Sequence, residues 1–220
     1  MILSIRCLRG LAFVLLGWTL CPGFSISQAV HVRAFHTQDG LADEVVRDIA
    51  QTPDGSVWFA TWGGGISRFR GLNWETFAQL TGPPSNSVWA LAPDSANGMW
   101  AGTMGGIAYF DGTEWHAVHP AIPDLATPSV LCITKLNNGA LWFGTDDGHI
   151  IEFLSDTLLA GSGARGRSGP GVPKGTWSIV LDTDLTQGND VRAILQVAEN
   201  EIWAAVCDLA IAVYDGNQWQ

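Results

Sequence analysis

Apolar residues in this chain fall in short runs that are separated by turns rich in glycine. In the first such unit the runs read VRDIAQT, SVWFATW, GISRFR and NWETFAQ, with PDG, GGG and RGL between them. Short runs rich in β-branched and aromatic residues and bounded by turn residues predict β-strands. The chain is therefore expected to be all-β and built from units of four short strands.

The second and third strands of this unit recur along the chain, as VWFATWGGGIS, MWAGTMGGIAY, LWFGTDDGHII and the weaker IWAAVCDLAIA. The first tryptophan of each copy stands at Trp58, Trp100, Trp142 and Trp203. These spacings are 42, 42 and 61 residues, and the last is long by 19. A second tryptophan follows each copy, at Trp74, Trp115, Trp177 and Trp219. A period near 42 with four strands per unit is typical of a β-propeller blade.

The spacing divides the chain into four blades of about 42 residues each. We predict the blades at about residues 44–80, 86–120, 128–180 and 189–220, with an exposed loop insertion at about 154–175 that is rich in Gly, Ser and Pro. Such a chain is either a small closed ring or an arc that is partial relative to a seven-bladed propeller.

The segment VRAFHT, at 32–37, matches the end of the first blade in spacing. Phe35 precedes Val46 by 11 residues, as Phe77 precedes Val88. We therefore expect 32–37 to be an outer, fourth strand without its own blade. Propellers often close when a terminal strand completes the last blade, and both ends of this chain fit that device.

The first residues read as a targeting segment rather than as part of the fold. Two arginines and a short apolar run precede small residues at Ser27 and Ala29, which predicts a signal peptide over 1–29. An uncleaved N-terminal anchor is the alternative. Cleavage would remove two basic residues and no acid, and so move the formal charge from −10 to −12. Residues 30–220 are then expected in the periplasm or outside the cell, and so acidic a surface argues against nucleic acid as a partner.

Two cysteines remain after the predicted cleavage, Cys132 and Cys207. They occupy different positions of the repeat on different units. We interpret them as small buried hydrophobic residues, although an oxidising compartment would also permit a disulfide between them.

The stretch TQDGLADEVVRDIAQTPDGSVWFATWGGGISRF resembles the two-component regulator propeller repeat, as does GPPSNSVWALAPDSANGMWAGTMGGIAYFDG. The third and fourth copies are looser, and the fourth has CDLA in place of the glycine pair. The resemblance implies a propeller outside the cytoplasmic membrane that senses a small molecule or saccharide. It also implies an output partner that is a histidine kinase or a diguanylate cyclase. The family usually has seven blades, and here four are found.

Ligand-binding candidates follow from the repeat itself. Propeller loops between the second and third strands open on the same face as the loops that lead into the first strands. The second-to-third loops begin with Trp62, Met104, Asp146 and Cys207, so one position holds four unlike side chains. Trp62 offers a flat ring to a ligand, or packs against the next blade. One first-strand position holds Arg47, Trp89 and Arg192. These arginines suit a carboxylate or sulfate, or balance Asp48 and Asp190.

Catalytic and metal-binding motifs are weak in this sequence. The stretch DDGH at 146–149 contains carboxylates that suit a cation, and Glu114 and His116 alternate in EWHAVH, but neither set has further ligands at a fixed spacing. His149 with Asp146 and Asp147 is the candidate catalytic set if the chain is instead a lyase-like propeller enzyme. We find no nucleophile elbow, P-loop or dinucleotide fingerprint, and expect no metal and no cofactor.

The sequence thus favours a non-enzymatic, extracytoplasmic ligand-sensing propeller of a two-component-type system. A secreted propeller enzyme and a protein-binding scaffold are the alternatives. An open arc would leave apolar faces on its end blades, so self-association through those faces is also expected.

Overall fold

The structure is a computed structural model that describes residues 32–94, 97–122, 125–156, 171–182, 186, 188–208 and 210–220. The predicted signal peptide and most of the predicted insertion lie outside the described residues. Residues 32–34 fall in a separate N-terminal unit, and all the strands belong to the unit Phe35–Gln220. No helix in the described ranges has the length and apolar character needed to cross a membrane.

Fifteen strands of the described residues form four antiparallel sheets. The first two sheets contain β1 (Val46–Gln51), β2 (Val57–Thr61), β3 (Ile66–Arg70) and β4 (Asn73–Phe77), then β5 (Val88–Pro93), β6 (Met99–Thr103), β7 (Gly106–Phe110) and β8 (Trp115–Val118). The other two contain β9 (Val130–Lys135), β10 (Leu141–Thr145), β11 (Ile150–Ser155) and β12 (Gly175–Leu181), then β13 (Val191–Ala198), β14 (Glu201–Val206) and β15 (Ala210–Tyr214). Each strand pairs with its chain neighbours in order, so each sheet is one blade. The prediction of an all-β, four-bladed propeller fold is confirmed.

The core lies between the blades, where the repeated tryptophans are buried. Trp58, Trp100 and Trp142 are each no more than 3% exposed. Each packs on an aromatic residue of the next blade's third strand and on the tryptophan at that blade's fourth-strand position. We call each such set a junction triad. The three triads are Trp58–Phe110–Trp115, Trp100–Phe153–Trp177 and Trp142–Tyr214–Trp219.

Small residues two positions after these tryptophans let the blades approach closely. A Cβ on Gly102 would lie 2.7 Å from Val130 Cγ1 of the third blade. A Cβ on Gly144 would lie 2.8 Å from Val191 Cγ1 of the fourth blade, and 2.6 Å from Cys132 Sγ of its own blade. Real Cβ atoms do not make contacts this short. The glycines of the repeat therefore serve packing between blades as well as turns.

Residues 32–37 do not form the predicted outer strand. Residues 32–36 have no regular secondary structure, and Thr37–Asp39 is a 3₁₀ turn that His36 N closes by donating to Asp39 Oδ2 at 2.8 Å. A strand requires a neighbour to pair with, and the described residues contain no third strand of a preceding blade. Phe35 nevertheless packs on the first blade, with its ring 5.5 Å from those of Phe69 and Trp74.

The third and fourth blades differ from the first two in their outer strands. β11 and β12 extend into both ends of the predicted insertion, because the pairs Leu154↔Thr176 and Ser155↔Gly175 continue the ladder. The fourth blade has three named strands, and an antiparallel bridge between Tyr214 and Trp219 adds the start of a fourth.

Candidate ligand site at the propeller mouth

A β-bulge recurs at one position in all four first strands. The register skips one residue between Val46 and Asp48, and the corresponding residue is skipped in β5, β9 and β13. The skipped residues are Arg47, Trp89, Leu131 and Arg192. A bulge leaves its residue without a cross-strand partner and re-aims the side chain. The four bulge positions are therefore equivalent. At each one the side chain leaves the regular alternation of its strand.

The residues that open the second-to-third loops lie beside these bulges. The backbone N–H of each donates, at 2.9–3.0 Å, to the carbonyl of the residue just before the first strand of its own blade. The four pairs are Trp62 to Val45, Met104 to Ser87, Asp146 to Ser129 and Cys207 to Asp190. The bulges and these loops together define one end of the propeller, which we call the mouth.

Three aromatic and cationic side chains from two blades meet at the mouth. The rings of Trp62 and Trp89 are perpendicular, with centroids 4.9 Å apart. The Arg47 guanidinium carbon lies 4.4 Å from the Trp62 centroid and 4.6 Å from that of Trp89. The Trp62 backbone is held in turn, because Ser87 Oγ donates to its carbonyl at 2.6 Å. Trp62 remains 38% exposed, so the contact leaves ring surface open to solvent.

Arg192 approaches the same tryptophan from the fourth blade. Its guanidinium carbon lies 5.4 Å from the Trp89 centroid, and its Nη2 donates to Asp190 Oδ2. We call Arg47, Trp62, Trp89 and Arg192 the mouth cluster. It joins four of the five predicted binding residues from three different blades.

The charges of the two arginines are balanced differently. Arg192 pairs with Asp190, as one reading of the sequence predicted. Arg47 does not pair with Asp48, whose carboxylate instead accepts hydrogen bonds from the backbone N–H groups of Ile49 and Leu91, each at 2.8 Å. Within the described ranges no hydrogen bond or ion pair involves the Arg47 guanidinium. Its faces are near the two rings, while its N–H donors have no acceptor in this part of the chain.

The fifth predicted residue, Asp146, does not join the mouth cluster by any contact of its carboxylate in the described residues. Its Oδ1 accepts a hydrogen bond from Ser129 N at 2.9 Å, which ties the loop to the start of β9. Asp147 contacts its own hairpin: its Oδ1 lies 2.6 Å from Thr145 Oγ1 and 2.8 Å from His149 Nδ1. Burial raises the pKa of Asp147, but these hydrogen bonds outweigh it, so the pKa lies below its usual value. The carboxylates of DDGH thus bind groups of the protein rather than converging on one point.

The pair Glu114 and His116 gains a third member, Asp111, that the sequence reasoning placed only in a turn. One ligand atom from each lies within 4.8 Å of the others. Asp111 Oδ1 accepts from the backbone N–H groups of Thr113 and Glu114 at 2.8 and 2.9 Å, and Oδ2 lies 3.0 Å from His116 Nε2. Burial alone would raise the pKa of the Asp111 carboxyl. The hydrogen bonds lower it by more, so the pKa lies well below its usual range. This geometry is that of a carboxylate closing the β7–β8 hairpin.

Both cysteines are free thiols that are half-buried. Cys132 Sγ lies 3.6 Å from the carbonyl oxygen of Val191 at the junction of the third and fourth blades. Burial raises the pKa of the Cys132 thiol to about 12. A thiol with so high a pKa is inert, which suits a packing role.

The structure adds two features of the mouth that the sequence did not reveal. The bulge is one, and the repeated first-strand position predicted its location without predicting its geometry. The other is Trp89 Nε1, which is buried and has no hydrogen-bond partner in the described residues. A buried indole N–H without an acceptor is uncommon in folded proteins.

Two segments of the chain match the family model described as "two component regulator propeller", residues 40–63 and 82–105. They cover the turn before the first strand, the first two strands and the start of the loop at the mouth, in the first two blades. These two segments are similar to the two-component regulator propeller repeat. Three members of the mouth cluster, Arg47, Trp62 and Trp89, lie within the two matched segments.

Solved structures with the same fold include the extracellular domains of two hybrid two-component systems from B. thetaiotaomicron. The first has a TM-score of 0.60 at 14% identity over 80% of this chain, and the second 0.57 at 20% identity over 84%. The chain spans about a fifth of the length of each, 22% and 23%. No curated protein sequence matches the chain. These likenesses support the propeller fold of the chain.

Proposed function

We propose that this chain is a ligand-sensing propeller module of a two-component-type signalling system, without catalytic activity. The observation that carries the proposal is the Arg47 guanidinium, which lies against two tryptophan rings at an open mouth without an acidic partner in the described residues. The chain has 21 Asp and Glu against 11 Lys and Arg, so carboxylates outnumber the basic side chains. An arginine without a carboxylate partner is therefore unexpected in this chain. The contacts with the two rings fix the position of the Arg47 guanidinium, and its N–H groups can donate to a ligand.

The mouth cluster fits a small molecule or saccharide that carries an acidic group. Tryptophan rings bind the flat, weakly polar faces of sugar rings, and exposed ring surface is present at Trp62. A guanidinium presents planar donors that match a carboxylate or sulfate in a bidentate contact. Together these groups specify a cyclic ligand with a negative charge at its edge.

We further propose that the module lies outside the cytoplasmic membrane and passes its signal to a membrane-bound partner. The predicted signal peptide over 1–29 and the extracellular origin of the two B. thetaiotaomicron structures support that location. A histidine kinase or a diguanylate cyclase is the class of output partner that the repeat family implies. Ligand binding at the mouth then changes the state of the propeller that the partner reads.

The proposal is tested by titrating the full chain with oligogalacturonides and with neutral galacto-oligosaccharides of equal length in a calorimeter. We expect the acidic probe to bind more tightly, and Arg47→Gln to weaken its binding about tenfold or more. The matched control is Arg70→Gln, an exposed arginine at the β3–β4 turn, opposite the mouth, where it lies 3.9 Å from Asp54. Its binding should equal that of the wild type.

Three outcomes would overturn parts of this account. Binding of neither probe would contradict saccharide sensing at the mouth. Equal binding of both probes, unchanged by Arg47→Gln, would remove the acidic group from the ligand. Conversion of either probe to a new product during the titration would favour the alternative of a lyase-like enzyme.

A further inference from the structure

The two end faces of the propeller carry the separated halves of a junction triad. In the three complete triads the tryptophan of one blade lies 5.1–6.0 Å from the third-strand aromatic residue of the next blade and 5.9–6.2 Å from its fourth-strand tryptophan. The contact therefore repeats closely wherever two blades meet. This regularity defines what a fourth triad would require.

The fourth blade presents the tryptophan half of the triad. Trp203 pairs with Leu195 on one side and Val213 on the other, which is the register of the buried tryptophans in the earlier blades. Trp203 is 40% exposed, and Leu195 and Ile211 on the same face are 64% and 54% exposed. The opposite face of the blade packs on the third blade through Ile202 and its neighbours. The exposed face thus has the pattern of a blade junction, and no blade of the described residues packs against it.

The first blade presents the receiving half. Phe69 and Trp74 occupy the positions of Phe110 and Trp115, and their rings are 4.9 Å apart. In the described residues no second-strand tryptophan of another blade packs on them. Ile49, on the same face of this blade, is 59% exposed.

Phe35 makes this receiving surface more complete. Its ring lies 5.5 Å from both Phe69 and Trp74. At the junction of the first two blades, Phe77 lies 5.6 Å from Phe110 and 6.1 Å from Trp115. Phe35 therefore occupies on the first blade the place that a fourth-strand phenylalanine occupies on the second. The one aromatic residue that this surface lacks is the tryptophan that the fourth blade exposes.

We propose that the fourth blade of one copy of this chain docks on the first blade of a second copy, with Trp203 completing a triad with the partner's Phe69 and Trp74. The contact continues an interface that the chain already builds three times. Burial of Trp203, Leu195 and Ile211 provides the driving force. Because the two faces differ, the contact is head-to-tail, and two copies close on each other only if both contacts form at once. This inference does not depend on the mouth cluster.

Sedimentation velocity of the full chain tests the docking directly. We expect the wild type to associate at micromolar concentration, and Trp203→Asp and Leu195→Asp each to shift it to monomer. The matched control is Leu80→Asp, which changes a side chain that is 99% exposed in the loop between the first two blades. It should associate as the wild type does. Every variant carries the same N-terminal residues, and far-UV circular dichroism checks that each one is folded.

A mixing experiment tests the head-to-tail geometry. Trp203→Asp keeps an intact receiving surface, while Phe35→Asp keeps an intact Trp203 face. Each variant alone should be monomeric or nearly so, and an equimolar mixture should form a heterodimer. A wild type that stays monomeric and melts cooperatively would overturn the proposal, since the end faces would then be covered by something other than a second copy. Association that Trp203→Asp leaves unchanged would overturn it as well.

Discussion

Trp58 and Trp62 lie four residues apart in the same stretch of sequence and have opposite surroundings. Trp58 is 1% exposed, and its counterparts Trp100 and Trp142 are buried in the same way. Trp62 is 38% exposed, and the equivalent positions hold Met104, Asp146 and Cys207. Positions that repeat from blade to blade build the junctions, because every junction has to solve the same packing problem. Positions that differ are free of that constraint and form the mouth.

The largest expected effect comes from removing a junction tryptophan. Trp100→Ala would leave a cavity among Phe143, Phe153 and Trp177, whose rings lie within 6.2 Å of it. We expect a loss of about 3–5 kcal/mol in the free energy of unfolding, measured by urea denaturation. Trp203→Ala is the matched control from the end blade; at a protein concentration low enough to keep the chain monomeric it should cost about 1 kcal/mol or less, because this ring is 40% exposed. Equal losses would contradict the difference between junctions and end faces.

A smaller effect is expected where two blades approach through a glycine. Gly144→Ala adds a methyl group 2.6 Å from Cys132 Sγ and 2.8 Å from Val191 Cγ1. The third and fourth blades must then separate slightly, at a cost of about 1–3 kcal/mol in the free energy of unfolding. Gly55→Ala, at a turn where nothing lies within 4 Å of the added Cβ, controls for added bulk. Its backbone has φ +83°, so its own loss of about 1 kcal/mol measures strain without a clash. A Gly144→Ala loss no larger than this would show that the junction yields freely.

Asp111 provides a test of an outer hairpin that belongs neither to a junction nor to the mouth. Its pKa is lowered in the folded protein, so its ionised form stabilises the fold above the carboxyl's ordinary pKa near 4, and this contribution is lost as the pH falls further. We expect Asp111→Asn to lower the free energy of unfolding by about 1 kcal/mol at pH 7. The difference from the wild type should shrink steadily below about pH 4. A difference that is constant with pH would mean that the charge of Asp111 is not what closes the hairpin.

The fold was largely predictable from the sequence because four copies of one repeat form the same pattern of strands with a tryptophan at the same position. Spacing alone located the strands, the junction tryptophans and the bulge positions Arg47, Trp89 and Arg192. The outer strand at 32–37 was mispredicted, since spacing places Phe35 in register but does not provide the neighbouring strand that hydrogen bonding needs.

The mouth was less predictable for a related reason. Sequence identified residues that differ among the copies, but their mutual contacts depend on how neighbouring blades are placed. It did not distinguish Arg192, which pairs with Asp190, from Arg47, which contacts only rings in the described residues. It grouped Asp146 with the other ligand candidates and did not reveal that Asp146 Oδ1 accepts a hydrogen bond from Ser129 N. The partner of each of these side chains depends on distances of a few ångströms, and a repeat pattern in the sequence does not contain those distances.

The central claim is that residues which differ between blades bind ligand while residues which repeat hold the fold. Trp62→Ala tests it most directly when affinity for the oligogalacturonide probe and melting temperature are measured on the same preparation. We predict that binding weakens by about 1 kcal/mol or more while the melting temperature stays within about 2 °C of the wild type. A melting temperature that falls as far as in Trp100→Ala, with affinity unchanged, would show that Trp62 is part of the core and would contradict the account.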